Sequence, residues 1–475
     1  MARSGGFPTL TAVIPARMEP LVRETEPLAT RFKDAGHRLY LVGGVLRDAF
    51  LDRLRPDQDL DLTTDAEPDQ IEAVAAGWAD ATWTTGKEFG TIGLRRGDRI
   101  YEVTTHRAEA YAPESRKPAV KFSASVEADL SRRDFTVNAM ALRLGGELEL
   151  IDPYGGLADL AGLRLRTPLS PEESFTDDPL RMMRAARFIA GYNLVPDEAL
   201  VGAVAGLAER LDIVSAERIR SELDKLMVVD VPGPGLWFLV RTGLAGRFLP
   251  ELPALALEQD PIHRHKDVLA HTVAVVDKTS PDRLLRLAAL FHDVGKPRTR
   301  AFSGGGVSFH HHEVVGARMT RERMKALRYS VEDTDLVSTL VELHLRFHTY
   351  RLGWTDRAVR RYVRDAGPLL DLLNELTRCD CTTRNENKAR QLARRMDELE
   401  DRITELRQQE ELDSIRPDLD GRRVMSELGL VPGPQVGRAL DFLLELRLDE
   451  GPLGEEEAAR RLRAWWAEGT ADSSR

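Results

Sequence analysis

Hydrophobic and polar positions change rhythm once along this chain. Through about residue 150, short apolar runs of strand length alternate with helical stretches. "RLYLVGG", "DLDLTT", "TIGLRR" and "RIYEVTT" read as strands, and "NAMALRL" with "LELIDPY" reads as a hairpin. That alternation predicts an α/β layer over roughly residues 26 to 150. From Leu160 the strand signal disappears and a helical period takes over, as in "DDPLRMMRAARFIAGY" and "SAERIRSELDKLMVV". "VPGPG" at Val231 to Gly235 breaks the helices, and "DPIHRHK" introduces a helical block rich in histidine. A charged helix, "NKARQLARRMDELEDRITELRQQEEL", leads into a last helical segment, and no internal repeat is visible.

At 475 residues the chain is too long for one core, so several domains are expected. With 30% charged and 42% apolar residues the composition is that of an ordinary soluble protein. No apolar run is long enough to cross a membrane, and "MARSGGFPTLTAVIPARMEP" lacks the hydrophobic stretch of a secretory signal. Cys379 and Cys381 are the only cysteines, which excludes a disulfide framework and suits a reducing cytoplasm. The net charge of −10 argues mildly against a nucleic-acid partner. Averages hide patches, however. "RMMRAAR" (Arg181, Arg184, Arg187) and "RAVRRYVR" (Arg357 to Arg364) are locally basic at helical spacing, readable as solvated faces or as binding patches.

Candidate chemistry begins at "LYLVGGVLRD", where a strand runs into Gly43 and Gly44. Such a pair marks either a tight turn needing positive φ or a ligand, often a phosphate, lying against bare main chain. Next comes "PDQDLDLTTDA". Strand side chains alternate, so Asp59 and Asp61 share one face while Leu60 and Leu62 enter the core. Adjacent carboxylates repel, and a cation between them relieves the repulsion. Oxygen-only ligands with room for water favour Mg²⁺, and Mg²⁺ usually accompanies a substrate phosphate. The competing reading is an exposed strand edge blunted by acids. Asp57 shares the alternation and is easily miscounted as a ligand. In "RIYEVTTHR", Glu102 faces away from Tyr101 and Val103, so it completes a three-carboxylate cluster if the two strands are neighbours. A phosphate-cradling turn beside a metal pair suits in-line nucleotidyl transfer, where two ions stabilise attacking and leaving oxygens.

"GGVLRD", "DLD", "RRDFTVNAMA", "IDPYGGLADL" and "DDPLRMMRAARF" occur in the order seen in class II tRNA nucleotidyltransferases. The chain thus resembles the CCA-adding enzymes and related bacterial poly(A) polymerases, densely over about residues 38 to 230. The resemblance implies an α+β multidomain fold: a DNA polymerase beta-like head, a helical neck and body, an HD domain and a helical tail. The expected segments are an N-terminal extension (1–25), the catalytic head (26–160), neck and body (161–260), HD domain (261–385) and tail (386–475). It also implies that the triphosphate lies against Gly43 and Gly44 with Arg47 pairing to it. Asp59 and Asp61 match the family's metal ligands, and Glu102 falls where the third acid belongs by a looser match. Arg133, Asp134 and Asn138 are implied to contact the sugar and phosphates, Arg184 and Arg187 the nucleotide, while Arg132 reads as a surface charge. "ERIRSELDKL" resembles a neck helix with a structural role.

Asp178 and Arg181 lie three apart, so they are expected as neighbours on one helix face, where a surface ion pair is the ordinary explanation. The resemblance implies instead a protein template read by the incoming base. Cytosine and adenine offer an amino donor beside a ring-nitrogen acceptor, whereas uracil and guanine offer a carbonyl beside a ring N–H. A carboxylate only accepts and a guanidinium only donates. Asp178 taking the amino proton and Arg181 reaching the ring nitrogen therefore fit C and A alike. U or G leaves buried groups unpaired, at roughly 1–3 kcal/mol each.

Farther on, "KDVLAHT", "FHDVGK", "HHHEVVGA", "VELHLRFH" and "RCDC" are spaced like an HD-superfamily metal phosphohydrolase domain. The implied ligands are His271, His292, Asp293 and Asp380, with His312 and His344 as further candidates. A lone histidine is usually structural; a His-Asp pair preceding Gly-Lys is more specific. Imidazole with carboxylate suits a transition metal or Mg²⁺, giving a second divalent-metal site. "HHH" leaves His310, His311 and His312 open, with the adjoining "ExxGA" favouring His312. An active copy is implied to have phosphatase or cyclic phosphodiesterase activity. In the tail, "MSELGLVPGPQVGRAL" resembles a helix-hairpin-helix phosphate-backbone binder or is an ordinary helix turn. By the resemblance the tail holds the tRNA.

The combined reading is a cytoplasmic, Mg²⁺-dependent enzyme that adds CCA to tRNA 3′ ends from CTP and ATP without a nucleic-acid template. A poly(A) polymerase is the nearest rival, but it typically ends in a strongly basic region and this chain carries "RLDEGPLGEEEAARR" there. Enzymes adding only CC or only A differ in a flexible segment placed here within "RAEAYAPESRKPAVKFSAS". A rival of another class is an HD phosphohydrolase whose head only binds RNA; the intact Asp59, Asp61 and Asp178 count against it.

Overall fold

A computed structural model describes residues 16–55, 57–110, 119–123, 125–257, 267–303, 306–349, 354–381, 386–410, 412 and 415–472. The chain divides into two compact units after Phe248. The first unit opens with a seven-stranded sheet in the order β3-β4-β5-β2-β1-β8-β9. Its strands are β1 (Leu39–Val42), β2 (Leu60–Thr64), β3 (Ala81–Trp83), β4 (Thr91–Arg96), β5 (Arg99–Thr105), β8 (Ala141–Arg143) and β9 (Leu150–Ile151). β6 (Arg107–Ala110) and β7 (Ala119–Phe122) pair separately, and the middle of the segment expected to distinguish partial enzymes lies outside the described residues. Of the pairs in the large sheet, β2–β5 is parallel and the others are antiparallel. The expected hairpin forms as β8–β9.

One sheet face is apolar. Leu41, Leu60, Leu62, Ile92, Leu94 and Val103 pack there with Leu28 and Phe32 of helix Glu19–Asp34 and Ile71 of helix Pro68–Ala75. Because strand side chains alternate, burying Leu60 and Leu62 on that face turns Asp61 to the other. Helix Glu19–Asp34 begins inside the stretch expected to be an extension, and Met18 and Leu21 join the head core. The head therefore starts earlier than residue 26.

The rest of this unit is helical, led by Leu180–Tyr192 (the arginine helix) and Ala216–Met227 (the neck helix). A Cβ at Gly235 would lie 2.5 Å from the Ala186 carbonyl oxygen, so glycine lets helix Gly233–Arg241 approach the arginine helix closely. Strands do not vanish after Leu160 as expected. Arg164–Leu165 pairs with Val195–Pro196, and in the second unit Ala301–Ser303 pairs with Gly306–Ser308. Segments of two or three residues are too short to show a period.

The second unit is a helical assembly that runs into a tail whose core includes Val424, Ala439, Leu443 and Leu462. The basic run from Arg357 keeps Arg357 and Arg364 exposed, yet much of its charge is paired within its own unit. Arg357 and Arg361 pair with Asp449 of the tail at 2.8 and 3.0 Å, and the buried Arg360 pairs with Glu410 at 2.8 Å. All of "DPIHRHK" lies outside the described residues. Among the described residues, no helix is long and apolar enough to cross a membrane.

Candidate functional site

At the end of β1 the chain enters a turn in which Gly43 has φ +77°, and helix Gly44–Phe50 begins there. A Cβ on Gly43 would lie 3.2 Å from Asp61 Oδ2 and 3.3 Å from Arg133 Nη1. The positive φ bears out the tight turn, and a side chain there would also crowd Asp61 and Arg133. Asp61 and Glu102 are directly paired across the parallel β2–β5 ladder, so the third acid stands beside the second as expected. Asp59 lies one residue before β2. All three side chains belong to solvent-exposed residues. Crowding by surrounding protein, reinforced by Asp59 and opposed by Arg133, raises the Asp61 carboxyl above its ordinary range. Partial desolvation by surrounding protein, then Asp61 and Asp59, raise Glu102 in the same direction. Open, oxygen-only and mutually repelling donors fit a hydrated divalent cation.

Arg133 is held at 3.2 Å by Asp129, whose other oxygen takes Arg132 at 2.6 Å. Burial opposes ionisation of Asp129, but Arg133 and Arg132 outweigh it and bring the carboxyl down to about 2. Arg132 is therefore not the free surface charge expected of it. Arg47 is buried too. Its Nε donates to Asp48 at 2.9 Å, Nη1 to Asn138 at 2.6 Å, and Nη2 to the Tyr192 hydroxyl. The Tyr192 ring centre lies 4.1 Å from the guanidinium carbon. Asn138 in turn donates to Asp134 at 2.9 Å, and Asp134 accepts Arg184 Nε at 2.9 Å. Burial opposes this carboxylate as well, yet Arg184 first and Asn138 next hold it far below the ordinary range. Arg187 pairs at 2.8 Å with the buried Glu222 of the neck helix, and Arg184 stands 3.8 Å from the same residue.

Asp178 and Arg181 do not share a helix face. Asp178 is extended (φ −136°, ψ 97°) because Pro179 comes next, and the arginine helix starts only at Leu180. The Asp178 carboxylate accepts Arg218 of the neck helix at 3.1 Å, whereas Arg181 Nη1 donates to Ser174 Oγ at 2.9 Å and Nη2 to the Arg132 carbonyl. Sequence reasoning missed Asp129, Tyr192, Arg218 and Glu222. Glu222 carried a signal: an acid among Ile219, Leu223 and Leu226 on the buried stripe of an amphipathic helix.

In the second unit the expected histidines converge from helix ends. Ligating atoms of His271, His292 and Asp293 lie within 4.8 Å of one another, as do those of Asp293, His312 and His344. His271 Nε2 is 2.9 Å from Asp380 Oδ1, which brings Asp380 into the cluster. Nδ1 of His292, His312 and His344 face the carbonyls of Ala289, Phe309 and Val341 at 2.7, 2.8 and 2.6 Å. An Nδ1 facing a carbonyl must donate, so Nε2 is left as the inward acceptor. His312 Nε2 and His344 Nε2 are buried with no hydrogen-bond partner, an arrangement that fits a metal ion. Burial and the neighbouring His292 push His344 down to about 3, so it stays neutral and able to ligate. For His292, burial is outweighed by Asp293 and Asp380, which raise it above the ordinary value, so a metal there would have to displace a proton from Nε2. Within "HHH" the geometry favours His312, as expected: His310 and His311 are exposed, and His312 is buried against Asp293 at 3.4 Å. A Cβ at Gly295 would fall 2.1 Å from the His312 carbonyl, so the "HDVGK" turn can press against His312 only with glycine there.

Similarity to known proteins falls into three stretches of the chain. Residues 39–166 match the poly A polymerase head domain, 193–255 the probable RNA and SrmB-binding site of polymerase A, and 264–406 the HD domain. The A-adding tRNA nucleotidyltransferase of Deinococcus radiodurans is 35% identical over 448 residues, covering 91% of this chain and 96% of that protein. The CCA-adding enzyme of Streptococcus thermophilus is 32% identical over 435 residues, covering 91% and 93%. Among solved structures, the Bacillus stearothermophilus CCA-adding enzyme in complex with CTP superposes with a TM-score of 0.67 at 23% identity, over 96% of this chain and all of that one. At that identity the likeness establishes the fold.

Proposed function

We infer the reaction from one premise, that this chain belongs to the tRNA nucleotidyltransferase family: it adds CCA to tRNA 3′ ends, drawing on CTP and ATP. The observation that carries the reading is the pairing of Asp61 with Glu102 beside the Gly43 turn. Family members work with divalent metal; here Mg²⁺ held by Asp59, Asp61 and Glu102 would stabilise attacking and leaving oxygens. Gly43 and Gly44 present main chain to the triphosphate, with Arg47 and Arg133 charged beside it. Asp134 and Asn138 support that side of the pocket, tied to Arg184. Asp178 and Arg181 read the base edge while Arg184 and Arg187 hold the nucleotide. For Asp178 that role requires release from Arg218 or sharing of its two oxygens. The reaction is placed in the cytoplasm, where tRNA and both nucleotides are at hand. In the second unit, a divalent metal on His271, His292, Asp293, His312, His344 and Asp380 would activate water against a phosphoester.

A second reading is addition of A alone, favoured by the Deinococcus relative, which matches along nearly its whole length and is named for that reaction. One experiment separates the two. The protein is incubated with tRNAs ending before CCA, after C and after CC, with each nucleotide separately and together, and the products are sequenced. CCA on the shortest tRNA supports the main reading. Extension only of the CC-ended tRNA establishes the second, and long A tracts establish a poly(A) polymerase.

A further inference from the structure

Trp83 ends β3 and is 36% exposed. Its position in the sheet is specific. Trp83 pairs with Gly93, Gly93 with Glu102, and Glu102 with Asp61, forming one row across four strands. Directly paired residues face the same side, so the indole stands on the face that carries the acids. It does not stand upright. A Cβ on Gly93 would lie 2.0 Å from Trp83 Cε2 and 2.1 Å from Nε1, so the ring lies flat across the glycine toward Glu102. At about 4.8 Å per strand, the ring covers the strand next to Glu102 and lies roughly two strand spacings from Asp61.

We propose that Trp83 is the platform on which the 3′-terminal base of the RNA acceptor stacks. The proposal rests on the nucleotidyl-transfer reading and adds the acceptor's side of the site. Leaving pyrophosphate and attacking 3′ oxygen stand on opposite sides of the α-phosphorus in an in-line displacement. The pyrophosphate belongs with the Gly43 turn, at the β1 end of the row and in contact range of Asp61. The 3′ hydroxyl must then arrive past Glu102, from β5 and β4, and its base falls over Gly93 and the indole. The bond formed joins that 3′ oxygen to the α-phosphorus; the bond broken releases pyrophosphate, and the hydroxyl proton leaves to solvent. Arg95, exposed and two residues beyond Gly93 on the same face of β4, supplies positive charge for an RNA phosphate. Stacking on an aromatic ring accepts every base, which suits an acceptor whose terminal base changes with each addition.

The test uses the full chain with Trp83→Ala, Trp83→Leu and Trp83→Phe. Trp83→Ala and Trp83→Leu are expected to raise KM for tRNA about tenfold, with KM for CTP at saturating tRNA unchanged, and Trp83→Phe to recover most of the loss. A tRNA carrying 2-aminopurine as its last nucleotide should be quenched on binding wild type and not on binding Trp83→Leu. Recovery by leucine as complete as by phenylalanine, or unchanged KM and quenching in all three variants, overturns the platform. Asp61→Ala is run in parallel. If it is inactive while the Trp83 variants behave as wild type, the platform alone has failed; if it adds nucleotides normally, the underlying reading has failed with it.

Discussion

Two clusters of ionisable side chains, one in each unit, use opposite chemistry. In the head the donors are carboxylates alone, exposed, on or beside adjacent strands, with Asp61 and Glu102 raised first by crowding and then by the neighbouring acids. In the second unit most donors are imidazoles at helix ends, largely buried, with Nδ1 of His292, His312 and His344 fixed by backbone carbonyls and the inward Nε2 of His312 and His344 left without a hydrogen-bond partner. An open, flexible oxygen site suits a hydrated ion that arrives with a nucleotide. A closed, preoriented nitrogen site suits an ion that stays with the protein. The contrast therefore predicts different responses to the same kind of mutation.

The largest effect is expected in the head. Asp61→Ala should lower nucleotide incorporation on the order of a thousandfold or more, because transition-state charge on the transferring phosphoryl loses its main support. Thermal stability should stay close to wild type, since removing one of several repelling exposed acids relieves strain. Asp57→Ala should be mild. Near-normal incorporation by Asp61→Ala, measured with labelled CTP, would break the head's half of the comparison.

In the second unit, Asp293→Ala should empty the metal site and abolish any metal-dependent phosphoesterase activity while nucleotide addition continues within about twofold. Metal content of purified protein gives the readout directly. His312→Ala should reduce retention and His311→Ala should not, since only the former is buried beside Asp293. Equal retention in both would show that the orphaned Nε2 atoms are not ligands.

Base reading comes next in size. Asp178→Ala removes the acceptor for an amino group, so preference for C and A over U and G should shrink roughly 10–100-fold, or about 1.4–2.7 kcal/mol. Arg184→Ala should instead weaken all four nucleotides evenly, because it frees the buried Asp134 that anchors Asn138. The measurement is kcat/KM for each nucleotide on a tRNA lacking CCA. An Asp178→Ala enzyme slower on all four with unchanged ratios would reduce Asp178 to scaffold, held by Arg218.

How legible these features were depended on the range of the interaction. The pairing of Asp61 with Glu102 could be anticipated because each acid sits between core residues on a two-residue period, leaving only their adjacency open. His312 was favoured by the "ExxGA" residues that begin its own helix. The break between Asp178 and Arg181 was also written locally, since a residue before proline avoids the helix, yet the three-residue spacing hid it. Asp129 lies three and four residues from the arginines it holds and was overlooked at readable range. Tyr192 is different: it meets Arg47 across 145 positions, and no local pattern carries such a contact.

The smallest expected effect tests the comparison from its weakest side, for the head too contains a buried histidine. His106 Nδ1 lies 2.9 Å from Thr63 Oγ1, whose own hydrogen goes to the Thr104 carbonyl at 3.0 Å. The hydroxyl must therefore accept, Nδ1 must donate, and the buried Nε2 has no partner. Protonating Nε2 would bury an unsatisfied N–H, and burial, opposed by Asp129 and Asp65, takes this imidazole down to about 4 from an unfolded value near 6.5. Between those values the unfolded chain binds the extra proton, so stability is complete above about pH 6.5 and falls as pH drops toward 4. From pH 7 to pH 5 this one group should account for roughly 2 kcal/mol of lost stability. His106→Gln should cost stability at pH 7 through packing, yet its denaturation midpoint should fall less than that of wild type between pH 7 and 5. Comparing the two slopes cancels every other group, and Asp129, titrating near 2, lies outside the window. Parallel slopes would mean that His106 accepts a proton in the folded head, and an orphaned Nε2 would then no longer distinguish a ligand in the second unit from a packed ring in the first.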